Sequence, residues 1–122
     1  MLENFYSIIN QIITDNSTVC DIRINSNHPI FDGHFPGMPV VPGACLMQIA
    51  QELVSMALKK NLVLCAAQNI KFMQVIYPDK VDSVTFELLW SESDGVYNTK
   101  CIIHDEEATY AMMKVTLCES VC

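Results

Sequence analysis

The run GACLMQIAQELVSMALKK, from Gly43 to Lys60, decides the fold. It has no proline and no glycine after its first residue, and its two lysines stand at the end where a helix dipole favours positive charge. Its polar residues Gln48, Glu52, Ser55 and Lys59 follow i, i+4, i+7, i+11, one narrow stripe on a helix of 3.6 residues per turn. Nearly everything else in it is apolar. The spacing predicts one long helix from near Gly43 to about Lys60, covered by protein on most sides.

Residues 26–43, just upstream, hold four of the five prolines and three of the four glycines, which predicts a stiff, irregular loop. Before that, Thr18 to Asn25 alternates, with Cys20, Ile22 and Ile24 on one face, and reads as a strand. Leu2, Phe5, Tyr6, Ile9, Ile12 and Ile13 recur at helical spacing, so a short amphipathic helix is expected at the N-terminus, ended by Asp15-Asn16-Ser17. Downstream, strands are expected over Asn69 to Ile76, Val81 to Ser91, Tyr97 to His104 and Ala108 to Cys118. Asp94-Gly95 is a hairpin turn signal, and Val84, Phe86, Leu88 and Trp90 share a face. The pattern predicts an α+β domain spanning 1–122: one long helix on a curved antiparallel sheet.

A chain of 122 residues that is 51% hydrophobic, with mean hydropathy +0.25, has more apolar surface than a small monomer hides easily, so self-association is expected. Its net charge of -7 excludes the basic face that nucleic acid or an anionic membrane surface requires. The longest uncharged stretch, Gly33 to Gln51, contains Pro36, Pro39 and Pro42, which argues against a membrane-spanning helix. The start lacks a basic n-region. Cys20, Cys45, Cys65, Cys101 and Cys118 sit in apolar runs with no Cys-x-x-Cys pair, so reduced core thiols in a cytoplasmic protein are expected, with no structural metal.

The chemistry concentrates in residues 27–43, NHPIFDGHFPGMPVVPG. A histidine, His34, lies in a rigid loop nine residues before the glycine that opens the helix. Free backbone N–H groups at such a helix start can polarise a carbonyl, and a nearby histidine can act as a general base. A loop histidine with a purely structural or solvent-facing role is the competing account.

The run Gly33 to Gly43, with Asn27 to Phe31 before it and Lys71-Phe72 and Pro78-Asp79 after it, resembles the bacterial β-hydroxyacyl-acyl-carrier-protein dehydratases (FabZ/FabA-like). The resemblance covers nearly the whole chain and is weak over the first 15 residues. It implies a hot-dog fold: a long central helix wrapped by an antiparallel sheet, dimeric. It also implies water elimination from a 3-hydroxyacyl thioester to a trans-2-enoyl thioester, with an acyl carrier protein as partner and no cofactor. By position, His34 matches the family's catalytic base and Gly43 the glycine whose amide binds the thioester carbonyl. Phe35, Met38 and Val41 are candidates to line the acyl tunnel.

One departure stands out. The family's second catalytic group, a Glu or Asp fourteen residues after the histidine and supplied by the other subunit, is replaced here by Gln48, and Glu52 stands where the family usually has Gln. The two side chains look exchanged. An amide cannot deliver a proton at neutral pH. Glu52, about 6 Å further along the helix, is therefore the candidate acid, with a plain hydrogen bond to a neighbouring segment as the alternative. Three functions stay open: an active dehydratase, a weakly catalytic thioester-binding subunit of a heterodimeric dehydratase, and a hot-dog thioesterase. The chain is expected to assemble as a homodimer or higher homo-oligomer, or as a heterodimer with a second dehydratase-like subunit. His28 and His104 are expected to be structural or solvated, and Cys45 a packed thiol rather than a nucleophile.

Overall fold

The computed structural model describes residues 4–32 and 39–120. Six strands form one antiparallel sheet in the order β1-β2-β4-β5-β6-β3: β1 (Tyr6–Ile13), β2 (Ser17–Ile24), β3 (Leu62–Phe72), β4 (Val84–Ser93), β5 (Val96–His104) and β6 (Thr109–Glu119). A single α-helix, α1 (Gly43–Leu58), packs on its inner face. This is the hot-dog arrangement.

The helix forms because nothing in it breaks the ladder and because its buried stripe has a place to go. Cys45, Leu46, Ile49, Ala50, Leu53 and Val54 are all buried. They meet the inward residues of the sheet: Ile22 from β2, Phe86 and Leu88 from β4, Ile103 from β5 and Leu117 from β6. Full burial of each large aliphatic side chain contributes about 1.5–3 kcal/mol. Pro42 precedes the first turn in extended conformation and gives no side-chain cap. The helix closes on Lys59 in the left-handed region, at φ 54°, whose N–H bonds Met56 O.

The alternation in β2 and β4 and the strand character of β5 and β6 match the expectation from sequence, and the Asp94-Gly95 turn has φ 52° and 77° as a tight hairpin requires. Strand β3 is displaced from the expected Asn69 to Ile76: it ends at Phe72, and it starts earlier, at Leu62, where α1 side chains catch its first amides. Ser55 Oγ accepts from Leu62 N–H at 3.3 Å, and Gln51 Oε1 from Leu64 N–H at 2.9 Å.

Two expectations are corrected. The N-terminal segment is a strand, not a helix: β1 pairs with β2 from Tyr6↔Ile24 to Ile13↔Thr18. A register shift between Ile8 and Asn10 breaks the period of two, so the apolar residues mimic helical spacing. The four β-branched isoleucines also favour the extended form. Second, Cys65 and Cys118 are not separate core thiols. They form a disulfide between β3 and β6, Cα atoms 6.0 Å apart, and Cys65 is exposed. The shift in register between Leu64 and Ala66 lets Cys65 meet Cys118, whose ladder partner is Val63. Cys20, Cys45 and Cys101 are buried thiols as expected.

The disulfide joins strands already laddered from Leu62↔Glu119 to Phe72↔Ala111. Cys118→Ser is therefore expected to keep the wild-type far-UV spectrum and to lose about 2–4 kcal/mol in urea denaturation under non-reducing conditions. A reductant should erase the difference between the two proteins.

Candidate functional site

The N-terminus of α1 is the first component of the site. Pro42 O accepts the N–H groups of both Cys45 (3.0 Å) and Leu46 (3.3 Å), so intrahelical bonding begins at Cys45. The N–H groups of Gly43 and Ala44 lie ahead of that first bond, at the positive end of the helix dipole. Gly43 borders a cavity of about 300 Å³, whose wall also includes Val41, Leu46, Phe72, Val75 and Ile76. The preceding loop is pinned there by Val41 N–H donating to Ile76 O at 2.9 Å, and Val41 is itself buried.

Gly43 is needed for close approach. A Cβ built on it would lie 2.5 Å from Phe72 Cζ and 2.9 Å from Cε2. The Phe72 ring, half-exposed at the end of β3, thus lies directly over the helix start.

One to two turns further along α1 lies the second component. Gln48 Nε2 donates to Glu52 Oε2 at 3.0 Å, and the Tyr6 hydroxyl donates to Glu52 Oε1 at 2.8 Å. Both oxygens of the carboxylate are thus engaged, one by its helical neighbour and one by β1. Burial first, then the hydrogen bond and negative charge of Glu52, push the Tyr6 hydroxyl well above its ordinary range. Tyr6 is therefore a fixed donor at neutral pH. On β1 the partner of Glu52 is Tyr6. Tyr6 was missed from sequence because the segment was read as a helix; a period-two reading with one bulge would have placed it opposite Ile24.

The structure brings Gln48 and Glu52 together, and places Gly43 and Val41 at one cavity. His34, Phe35 and Met38 lie outside the described residues. Burial pushes the Cys45 thiol up, which disfavours the thiolate and agrees with a packed thiol. His28 is built into the scaffold: its Nδ1 accepts from Ile30 N–H at 3.1 Å and its ring meets Phe5 edge-on, centroids 5.3 Å apart. His104 is not simply solvated, since its Nε2 pairs with Glu87 on the neighbouring strand, opposite Thr85 in the ladder. Among the described residues no cluster of His, Cys, Asp and Glu could hold a metal ion. No described helix is long and apolar enough to cross a membrane.

The fold agrees with what the chain is similar to. Solved structures with this architecture include the dehydratase heterocomplex ApeI:P from Xenorhabdus doucetiae, at TM-score 0.75 and 17% identity over 93% of this chain and 97% of that one. They also include a hypothetical thioesterase protein with coenzyme A from Streptococcus pneumoniae, at TM-score 0.66 and 14% identity over 98% of this chain and 90% of that one. A 3-hydroxyacyl-[acyl-carrier-protein] dehydratase FabZ from Geotalea uraniireducens is 31% identical over 108 residues, 80% of this chain and 74% of the relative. A second FabZ, from Pediococcus pentosaceus, is 28% identical over 88% of this chain and 77% of its own length. The class is thus the hot-dog dehydratases. Residues 10–113 match the ApeI-like family model, described as ApeI dehydratase, and the chain belongs to that family.

Two substitutions test this geometry. Gly43→Ala and Phe72→Ala, combined in a double-mutant cycle in urea, should show a coupling of about 0.5–3 kcal/mol, because the new methyl clashes only when the ring is present. Tyr6→Phe should cost about 1–3 kcal/mol at neutral pH by removing a hydrogen bond to a charged group. The Tyr6 proton is held more tightly in the folded state than the unfolded, so its contribution is present below about pH 10 and is lost as pH rises beyond it. Stability against pH should therefore fall less steeply above that value in Tyr6→Phe.

Proposed function

We propose that this chain is a 3-hydroxyacyl thioester dehydratase, acting on an acyl chain carried by an acyl carrier protein. The observation that carries the proposal is the pairing of an uncapped helix start at Gly43 with a carboxylate, Glu52, held on the same helix by Gln48 and Tyr6. The relatives named for this reaction and the Gly33 to Gly43 signature support it.

In this proposal the thioester carbonyl accepts from the N–H of Gly43, which stabilises the negative charge that builds on its oxygen as C2 loses a proton. His34 takes that proton. The C2–H electron pair becomes the C2=C3 double bond, and the C3–O bond breaks. In the reactive form the Glu52 carboxyl carries a proton; the departing hydroxyl takes it and leaves as water, while Gln48 holds the hydroxyl by hydrogen bonds. His34 ends protonated and Glu52 ionised, and transfer of one proton through solvent restores both. Phe35, Met38 and Val41 would flank the acyl chain.

The chain would work as one half of a dimer, whether with a second copy or a dehydratase-like subunit. Strand β3 is a sheet edge, with Val63 and Phe72 exposed along it, and its Phe72 covers the helix start; a partner along that edge would bury apolar surface and close the site. A heteromeric arrangement is favoured by one feature of this sequence: Gln48 leaves the usual carboxylate position without a transferable proton. The solved heterocomplex ApeI:P supports the same arrangement. A cytoplasmic site of action follows from the proposed carrier-linked chemistry, and in a reducing compartment the Cys65–Cys118 bond would be open.

Purified protein incubated with a 3-hydroxyacyl carrier protein is expected to produce the enoyl form, read by mass spectrometry as loss of one water. His34→Ala and Glu52→Gln should each lower the rate by about 10²–10⁴-fold. Unchanged dehydration in Glu52→Gln would remove Glu52 from the acid role. Free acid in place of the enoyl product would favour a thioesterase. Activity appearing only with a second dehydratase-like chain would establish the heteromeric form.

A further inference from the structure

Glu52 stands one helical turn beyond position 48, yet its carboxylate reaches back to it. Side chains of a helix lean toward its N-terminus, so a carboxylate at i+4 can stand over residue i. Here Glu52 Oε2 lies 3.0 Å from Gln48 Nε2. Its other oxygen, Oε1, accepts from the Tyr6 hydroxyl at 2.8 Å.

Tyr6 is a stiff support for that contact. It pairs with the buried Ile24 in the β1–β2 ladder. Phe5, the residue before it, is fully buried beside the Phe31 ring, centroids 5.5 Å apart. Phe5 O accepts from Asn25 N–H at 2.8 Å, and Asn25 Nδ2 donates to Asn4 O at 2.8 Å. The chain on the N-terminal side of Tyr6 is thus tied down twice. A tyrosine ring also turns about fewer torsions than a glutamate side chain, so the stiffer partner orients the more pliable one.

The two partners of the carboxylate differ in what they can do. Burial and the neighbouring Glu52 keep the Tyr6 hydroxyl protonated, so it donates whether Glu52 is ionised or neutral. A carboxylic acid accepts best at its carbonyl oxygen. With Tyr6 on Oε1, the proton of the neutral form therefore belongs on Oε2. The Gln48 amide carries both a donor and an acceptor and suits either form, since a half-turn presents its Oε1 to that proton in place of Nε2.

We infer that Tyr6 is a positioning residue for the dehydration: by engaging Oε1 it holds Glu52 turned back along α1, with the acidic proton on Oε2 beside Gln48. The inference rests on the reading of Glu52 as the acid and adds what directs it. In that step the Oε2–H bond breaks and its proton bonds the departing hydroxyl. The C3–O electron pair leaves with the water, and the remaining carboxylate regains the Gln48 Nε2 donor. An acid displaced by one turn thus delivers its proton from where the side chain of residue 48 ends.

The test compares kcat and KM for a 3-hydroxyacyl carrier protein, in whichever assembly turns over. Two backgrounds are used: wild type, and Gln48→Glu with Glu52→Gln, which returns the carboxylate to position 48. Tyr6→Phe should lower kcat about 10- to 100-fold in the wild type, with KM changed by less than about twofold. In the exchanged background the loss should shrink to about threefold or less, although Tyr6 can still donate to the amide at position 52. Equal losses in both backgrounds would make Tyr6 a purely structural contact and overturn the inference. So would a wild-type kcat in Tyr6→Phe where Glu52→Gln is impaired, which leaves the acid reading intact. A crystal structure of Tyr6→Phe supplies a readout that needs no turnover: Glu52 Oε2 should move beyond about 3.5 Å from Gln48 Nε2. An unchanged contact there overturns the orienting role. A wild-type rate in Glu52→Gln refutes the acid reading itself and the catalytic part of this inference with it.

Discussion

Everything in this structure depends on how the apolar stripe of α1 is seated on the inner face of the sheet. Six side chains from Cys45 to Val54 are buried there, against residues from β2, β4, β5 and β6. That contact holds the axis of the helix, and the axis determines where its uncapped first turn opens and which way Gln48 and Glu52 project. A helix set by local propensity alone would leave those two ends of the site unrelated.

The polar stripe does a different job from the solvated face that helical patterning usually implies. Glu52 meets β1 through Tyr6, while Ser55 and neighbouring Gln51 take the first amides of β3. Few polar contacts therefore tie the helix to both edges of the sheet, one of which carries Phe72 over Gly43. The same residues that complete the backbone bonding of the fold hold the candidate catalytic groups in place. This links the dehydratase proposal to packing: Glu52 is useful as an acid only if its position is fixed, and two donors fix it.

The outer face follows another logic. There the alternation that buries Cys101, Ile103 and Met113 leaves Lys100, Ile102 and Met112 outward. In a chain so poor in cations, accepting the cross-strand pair of Lys100 and Lys114 sacrifices some stability.

Much of this was legible in the residues. The uninterrupted run from Gly43, the alternation in β2 and β4 and the Asp94-Gly95 turn each carry local rules that a single segment satisfies alone. The Gly33 to Gly43 signature pointed to the family, and the Gln48/Glu52 exchange to the unusual feature of the site. The strand character of β1 was hidden because one bulge converts a period of two into a helical spacing, and only pairing with β2 resolves it. The Cys65–Cys118 bond, the Tyr6–Glu52 contact and the Phe72 ring over Gly43 join residues 53, 46 and 29 positions apart. Sequence alone determined the long helix and the strands β2, β4, β5 and β6, and which residues could do chemistry, because those depend on near neighbours. Tertiary structure decided which of them meet, because that depends on sheet order and register, which no local pattern encodes.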